Sequence, residues 1–369
     1  MSTGSAGFLP RAQLQQLINL LKAQGYEVSG PQVKDGAILY QALTAIDQLP
    51  VGVQDEQAPG HYRLTQTGSE RFFAWANGPQ ALKPFLFTPG EVIWQARRLA
   101  DGRIEFIRPE SPGRKQAVLG VRACDLAALR LQDQHFLQGD YVDTYYADRR
   151  KGLFLVSVNC SQPADTCFCA STGDGPSATA GYDINLTELD AGFVPEAGSD
   201  AGQALVDLLL LQPLSEQHRA AIKNQHDQAV QAQSRALPKI PLHNLLQANR
   251  NHPQWQDIAE RCLACGNCTQ VCPTCFCHSE SDLTALDGGT TEHRREWDSC
   301  FTAGHAYLAG FQVRPDIKSR YRQWMTHKLD TWHDQYGRSG CVGCGRCTTW
   351  CPAAIDFVEE ACKITGENP

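Results

Sequence analysis

The 369-residue sequence contains no apolar run long enough to cross a bilayer, which argues against a membrane-spanning helix. It has no excess of basic residues. The net charge of −7 offers no positive face for nucleic acid. The opening Met1-Ser-Thr-Gly-Ser-Ala-Gly7 lacks a basic-then-apolar pattern, so no export signal is expected. No G-x-G-x-x-G follows a candidate strand and no P-loop is present, so no nucleotide site is evident. G-x-S-x-G is missing too, and the 11 histidines form no H-x-x-H or H-E-x-x-H arrangement. What remains is an ordinary soluble composition, 42% hydrophobic and 20% charged, with length for two or three domains.

Cysteine is the residue present in excess, at 16. Without an export signal the expected compartment is a reducing cytoplasm, where so many thiols point to metal rather than disulfides. Two stretches repeat one pattern: Cys262-Leu-Ala-Cys265-Gly-Asn-Cys268-Thr-Gln-Val-Cys272-Pro273 and Cys341-Val-Gly-Cys344-Gly-Arg-Cys347-Thr-Thr-Trp-Cys351-Pro352. Each is the C-x2-C-x2-C-x3-C-P run that binds a [4Fe–4S] cluster in bacterial ferredoxins. Three cysteines at two-residue intervals on a tight loop set three thiolates on one face of a cube, and Gly266 and Gly345 let the backbone come close. The fourth cysteine of each run serves the other cluster. Cluster 1 is therefore expected on Cys262, Cys265, Cys268 and Cys351, and cluster 2 on Cys341, Cys344, Cys347 and Cys272. A zinc site takes two pairs of ligands, whereas each run supplies four in one stretch.

Upstream, Leu14, Ile18 and Leu21 predict a helix that Gly25 ends. Tyr62–Thr67 reads as a short alternating strand, and Glu91–Leu99 as a helix after Pro89-Gly90. Two apolar runs, 117–122 and 153–158, read as buried strands that stop at Cys124 and at Asn159-Cys160. A helix with Asp125 as its cap follows the first. Such an alternation predicts an α/β layer with its loops gathered at one edge. Residues 181–195 predict a hairpin turning near Asp190-Ala-Gly192. A polar helix over Ser215–Arg235 reads as a connector, and a helix from about His252 to Glu260 leads into the first cysteine run. The division expected is an α/β domain over 1–210, a helical connector over 211–250, and a dicluster ferredoxin-like domain over 251–369. That last domain is expected to be α-helical, with a long insertion between its two cysteine loops. After Pro352, Ile355, Val358 and Cys362 fall on one helical face.

Four further cysteines, Cys124, Cys160, Cys167 and Cys169, sit at the two strand ends and in the adjoining Gly-rich loop. Converging, they would complete a third [4Fe–4S] site; singly, they would pack as small buried hydrophobes. Cys275 and Cys277 read as residues packed against a cluster or as substitute ligands, packing being the ordinary role, and Cys300 and Cys362 as packing residues. His278, His293 and His305 lie near cluster segments, where hydrogen bonding is the ordinary role. The basic stretch Arg314–Lys328 reads as a solvated helix face or a docking surface. The chain has the parts of a wire and no catalytic centre of its own.

The combination Gly120-Val-Arg-Ala-Cys124-Asp-Leu, Asn159-Cys160 with Thr166-Cys167-Phe-Cys169, Cys262 to Cys277, Arg295-Glu-Trp-Asp-Ser-Cys300, and Cys341 to Pro352 resembles a known family. It is the beta subunit of soluble NAD(P)-linked [NiFe]-hydrogenases (sulfhydrogenases), a family that includes the A subunit of anaerobic sulfite reductase. The resemblance covers about residues 80–360. It implies an iron–sulfur subunit of a cytoplasmic complex. A flavin partner would exchange hydride with NAD(P), and this chain would relay single electrons. The catalytic partner would be the small and large [NiFe]-hydrogenase subunits, or a sirohaem subunit in the sulfite reductase branch. The resemblance also implies the third cluster, and it gives Cys275, Cys277 and Cys300 more than a packing role. Other readings are a free-standing ferredoxin-like carrier and an enzyme with its own flavin.

Overall fold

The computed structural model describes residues 7–109 and 114–367. The expectation drawn from the opening Met1–Ala6 lies outside the described residues. A seven-stranded sheet forms the N-terminal half, in the order Leu9–Pro10, Gly192–Ala197, Ile184–Leu189, Leu153–Val158, Gln116–Val121, Glu27–Lys34 and Ala37–Ala42. The four strands from Ile184–Leu189 to Glu27–Lys34 run parallel, and the outer pairings are antiparallel. The apolar runs form strands because alternate residues find partners on both faces. Ala117, Leu119, Phe154 and Val156 pack on one side with Leu14, Leu17, Ile18 and Leu21 of the helix Leu14–Ala23. Val118, Leu153 and Leu155 pack on the other with Leu126 and Leu129 of the helix Ala123–Leu137. The hairpin Ile184–Leu189 with Gly192–Ala197 forms as expected.

Three local expectations need correction. The segment expected as a helix over 91–99 is the strand Gly90–Arg98, held between Thr290–Trp297 and Ile104–Ile107. Val92, Ile93 and Trp94 suit an extended backbone, and neighbours distant in sequence supply the ladder. Asp125 is not a cap. The helix starts at Ala123 with Arg122 before it, so Asp125 lies inside the first turn. Nor is the C-terminal half purely helical: His278–Thr284 and Thr290–Trp297 form a hairpin within the insertion. Its second strand pairs with Gly90–Arg98, giving a four-stranded antiparallel sheet shared between the N- and C-terminal halves.

Around the two cysteine runs the core is helical. Trp255 and Ile258 of Gln254–Arg261, Tyr321, Trp324 and Met325 of Ile317–Thr326, and Phe357, Val358 and Ala361 of Phe357–Thr365 form one apolar cluster. Cys262, Cys268, Cys347 and Cys351 pack against it. Among the described residues no helix is long and apolar enough to cross a membrane.

Candidate iron–sulfur centres

The two runs fold alike, residue for residue. Ala264 and Gly343, third in each run, have φ of +50° and +65°. Gly266 and Gly345, fifth in each run, have φ of +74° and +73° and open the short helices Asn267–Gln270 and Arg346–Thr349. These left-handed residues fold each loop back on itself; Cys265 stays exposed while Cys341 and Cys344 are buried. Only glycine fits at Gly343 and Gly345: a Cβ there would lie 2.5 Å from the Cys169 nitrogen and 2.4 Å from the Thr166 oxygen.

Cysteines of the two runs lie near one another across the runs. Burial pushes the Cys268 thiol well up, and the nearby Cys262, Cys351 and Cys265 thiols push it further. Likewise Cys347 is raised by burial and then by Cys341, Cys344 and Cys272. Burial also lifts Cys341 to about 12. Cys272 moves the other way, because the Cys275 thiol donates to its sulfur and the Lys328 ammonium lies nearby. Buried thiols this reluctant to ionise need a cation in their midst to become thiolates. Backbone N–H groups already point at sulfur: Ala264 donates to Cys262 Sγ at 3.4 Å and Ile355 to Cys351 Sγ at 3.5 Å. Among the described residues no three Cys, His, Asp or Glu side chains converge closely enough to hold a single metal ion. The donor sets are all sulfur, the chemistry that an iron–sulfur cluster takes.

Cys124, Cys160, Cys167 and Cys169 also gather, at the C-terminal ends of Gln116–Val121 and Leu153–Val158 where parallel sheets hold ligands. After burial, the largest influences on Cys167 are Cys169 and Cys160, and Cys169 in turn feels Cys160. Cys124 is raised by burial, then by Asp125, with Cys344 and Cys169 adding to it. Arg122 fixes this corner. Its guanidinium donates to Ala76, Phe73, Trp75 and Val158 carbonyls and lies 4.1 Å over the Trp75 ring.

This N-terminal group and the second run touch. Phe168 N donates to Gly343 O at 2.8 Å, the Thr166 and Thr349 hydroxyls lie 2.7 Å apart, and Asn77 Nδ2 donates to Cys344 O at 3.0 Å. Cys167 Sγ is 3.9 Å from Cys344 O. Arg346, between Cys344 and Cys347, makes a two-pronged ion pair with Asp125 at 2.7 and 3.0 Å, both side chains 1% exposed.

Sequence reasoning missed Arg346, Asp125 and Asn77 as fixing residues; a charge inside each cysteine motif was the available signal for the first two. It placed Lys328 only at the end of a basic stretch. That residue lies in a π-helical turn, His327–Thr331, is 4% exposed, and donates to Thr274 Oγ1 at 2.8 Å. The basic stretch is therefore not wholly a solvated face: Arg320 and Arg322 also spend their donors on backbone carbonyls. His293 stacks on Trp94 and pairs with Asp282 on the shared sheet, while His305 bonds Asp298 at 3.0 Å. Cys362 lies half-buried against the C-terminal core, as expected of a structural residue.

Comparison with known proteins agrees with the geometry. Residues 261–355 match the 4Fe-4S dicluster domain, so the C-terminal half carries [4Fe–4S] chemistry. No solved structure matches the chain. Sulfhydrogenase 2 subunit beta of Pyrococcus furiosus is 34% identical over 248 residues, 66% of this chain and 72% of that subunit. On that likeness the chain belongs to the sulfhydrogenase beta-subunit family.

Proposed function

We propose that the protein is the iron–sulfur electron-transfer subunit of a hydrogenase complex, carrying three [4Fe–4S] clusters in a row. The bound clusters supply reversible one-electron storage; the chain supplies thiolates, spacing and dry surroundings. Cys262, Cys265, Cys268 and Cys351 would hold the first, Cys341, Cys344, Cys347 and Cys272 the second, and Cys124, Cys160, Cys167 and Cys169 the third. One observation carries the three-membered reading. The N-terminal thiols are packed directly on the second run, with Cys167 Sγ 3.9 Å from Cys344 O and the Arg346–Asp125 pair buried beside them.

A relay needs a donor and an acceptor. In this reading a flavin subunit that exchanges hydride with NAD(P) stands at one end, and the small and large [NiFe]-hydrogenase subunits at the other. The sulfhydrogenase name of the relative supports that branch over a sirohaem partner. The sheet joining both halves suits a fixed assembly rather than a free carrier. The test is anaerobic purification with natural partners, followed by nickel analysis and an assay of hydrogen-dependent NAD(P) reduction. Nickel with that activity supports the hydrogenase branch; sirohaem bands without nickel would replace it.

A further inference from the structure

Four cysteines remain outside the three sets, and two of them, Cys277 and Cys300, form a distinct arrangement. The hairpin His278–Thr284 with Thr290–Trp297 is closed at its base by pairing of His278 with Trp297, and Asp298 N donates to Cys277 O at 2.9 Å. That register brings Cys277, just before the first strand, beside Cys300, just after the second. The Cys277 and Cys300 thiols are near enough to act on each other, Cys300 as the donor. His305 is oriented by Asp298, Nδ1 to Oδ2 3.0 Å, and lies near the Cys277 sulfur. A thiol beside a second thiol and an imidazole that a carboxylate orients is the setting of an ionised, reactive cysteine. Cys277 is half-buried and Cys300 buried, the arrangement of an attacking and a resolving thiol.

We propose that Cys277 and Cys300 form a reversible dithiol–disulfide couple that exchanges electrons with the neighbouring iron–sulfur clusters. The inference rests on the relay reading above, because those one-electron carriers supply the reductant. Both ligand sets are close: Cys300 feels Cys268 of the first, and Cys275 hydrogen-bonds Cys272 of the second. In the reductive direction the Cys277–Cys300 S–S bond breaks. Two carriers each lose one electron, one proton goes to the Cys300 sulfur, and one goes to His305, leaving Cys277 as thiolate. Oxidation reverses every step. An S–S bond of about 2.05 Å needs the two neighbouring sulfurs to approach each other. The couple would give a chain of one-electron carriers a two-electron store at its edge.

The test uses the full chain in its anaerobic complex, poised fully reduced with dithionite or oxidised with thionin, then acid-quenched, alkylated and mapped by peptide mass spectrometry. Oxidised protein should yield a linked Cys277–Cys300 peptide, and reduced protein the two alkylated residues. Cys300→Ser should abolish the link while leaving iron content and the low-temperature EPR spectrum of the clusters unchanged. His305→Gln should keep the link and slow alkylation of Cys277 in the native reduced protein. Two free thiols at both poises would overturn the proposal. So would a loss of iron in both Cys277→Ser and Cys300→Ser, because the pair would then be holding metal. Wild-type protein lacking [4Fe–4S] signals would overturn the relay and the couple together.

Discussion

Replacing Asp125 by Asn should loosen the junction between the N-terminal cysteine group and the second run more than any other single charge change. The carboxylate sits 1% exposed against an Arg346 that is 1% exposed, with both guanidinium prongs engaged and Nε given to Gly78 O at 2.9 Å. Asparagine keeps the volume and removes the charge, so the Arg346 cation stays buried with only hydrogen bonds to offset it. Breaking one side of a buried pair costs about 3–5 kcal/mol. With a urea dependence near ~3 kcal/mol/M, the unfolding midpoint should fall by about 1–1.7 M. The assay is urea unfolding followed by tryptophan fluorescence under anaerobic conditions, with iron measured on the protein that stays folded. Loss should appear first in the third cluster, because Asp125 adjoins Cys124. Replacing both partners by apolar residues, Asp125→Leu with Arg346→Met, should recover much of the loss, since no orphaned charge remains. A midpoint shift below ~0.3 M, the size expected of an exposed pair, would refute the reasoning. So would a double variant weaker than the single one.

Other outcomes follow from the same geometry. Cys265→Ala and Cys344→Ala should each remove one ferredoxin-type cluster, read as one cluster's worth of iron per chain and a simplified EPR spectrum. Lys328→Met removes a buried cation near Cys272 and should lower the potential of the second cluster. A unit charge at roughly 8 Å with ε about 20 is worth about 2 kcal/mol. That corresponds to a shift on the order of 90 mV for one electron in an EPR-monitored titration, and an unchanged potential would contradict it. Cys277 is held below the ordinary thiol range, first by the hydrogen bond from Cys300 and then, against burial, by His305, with His327 adding to it. A depressed pKa keeps the thiolate present at neutral pH and loses it only as pH falls through the lowered value. Alkylation of Cys277 in the reduced protein should therefore stay fast at pH 6, where a free thiol of pKa ~8.5 is slow. A rate that rises tenfold per unit from pH 6 to 8 would be the wrong result.

Much of the site was legible because its signals are local. The two cysteine runs carry their own turn geometry, and Gly266 and Gly345 adopt the left-handed conformation that their place in the motif demands. The strands ending at Cys124 and Cys160 were legible from unbroken apolar runs, which a parallel sheet buries on both faces. What escaped was long-range. Gly90–Arg98 is a strand because Thr290–Trp297, some two hundred residues later, lies beside it. Nothing in the local pattern announces that partner. Asp125 looked like a cap from its neighbours, yet its carboxylate answers to Arg346, 221 residues away. The nearness of Cys277 to Cys300 likewise depends on a hairpin whose register only the fold sets.

The central claim is that three clusters stand in line across the two halves of the chain. Its most direct test is iron and acid-labile sulfide per chain in anaerobically purified wild type and Cys124→Ala, with EPR spectra of both after reduction. The wild type should carry iron for three [4Fe–4S] clusters. Cys124→Ala should lose one cluster's worth while keeping the coupled spectrum of the two ferredoxin-type clusters. Equal iron in the two proteins, at the level of two clusters, would contradict the account and leave the N-terminal cysteines without a redox role.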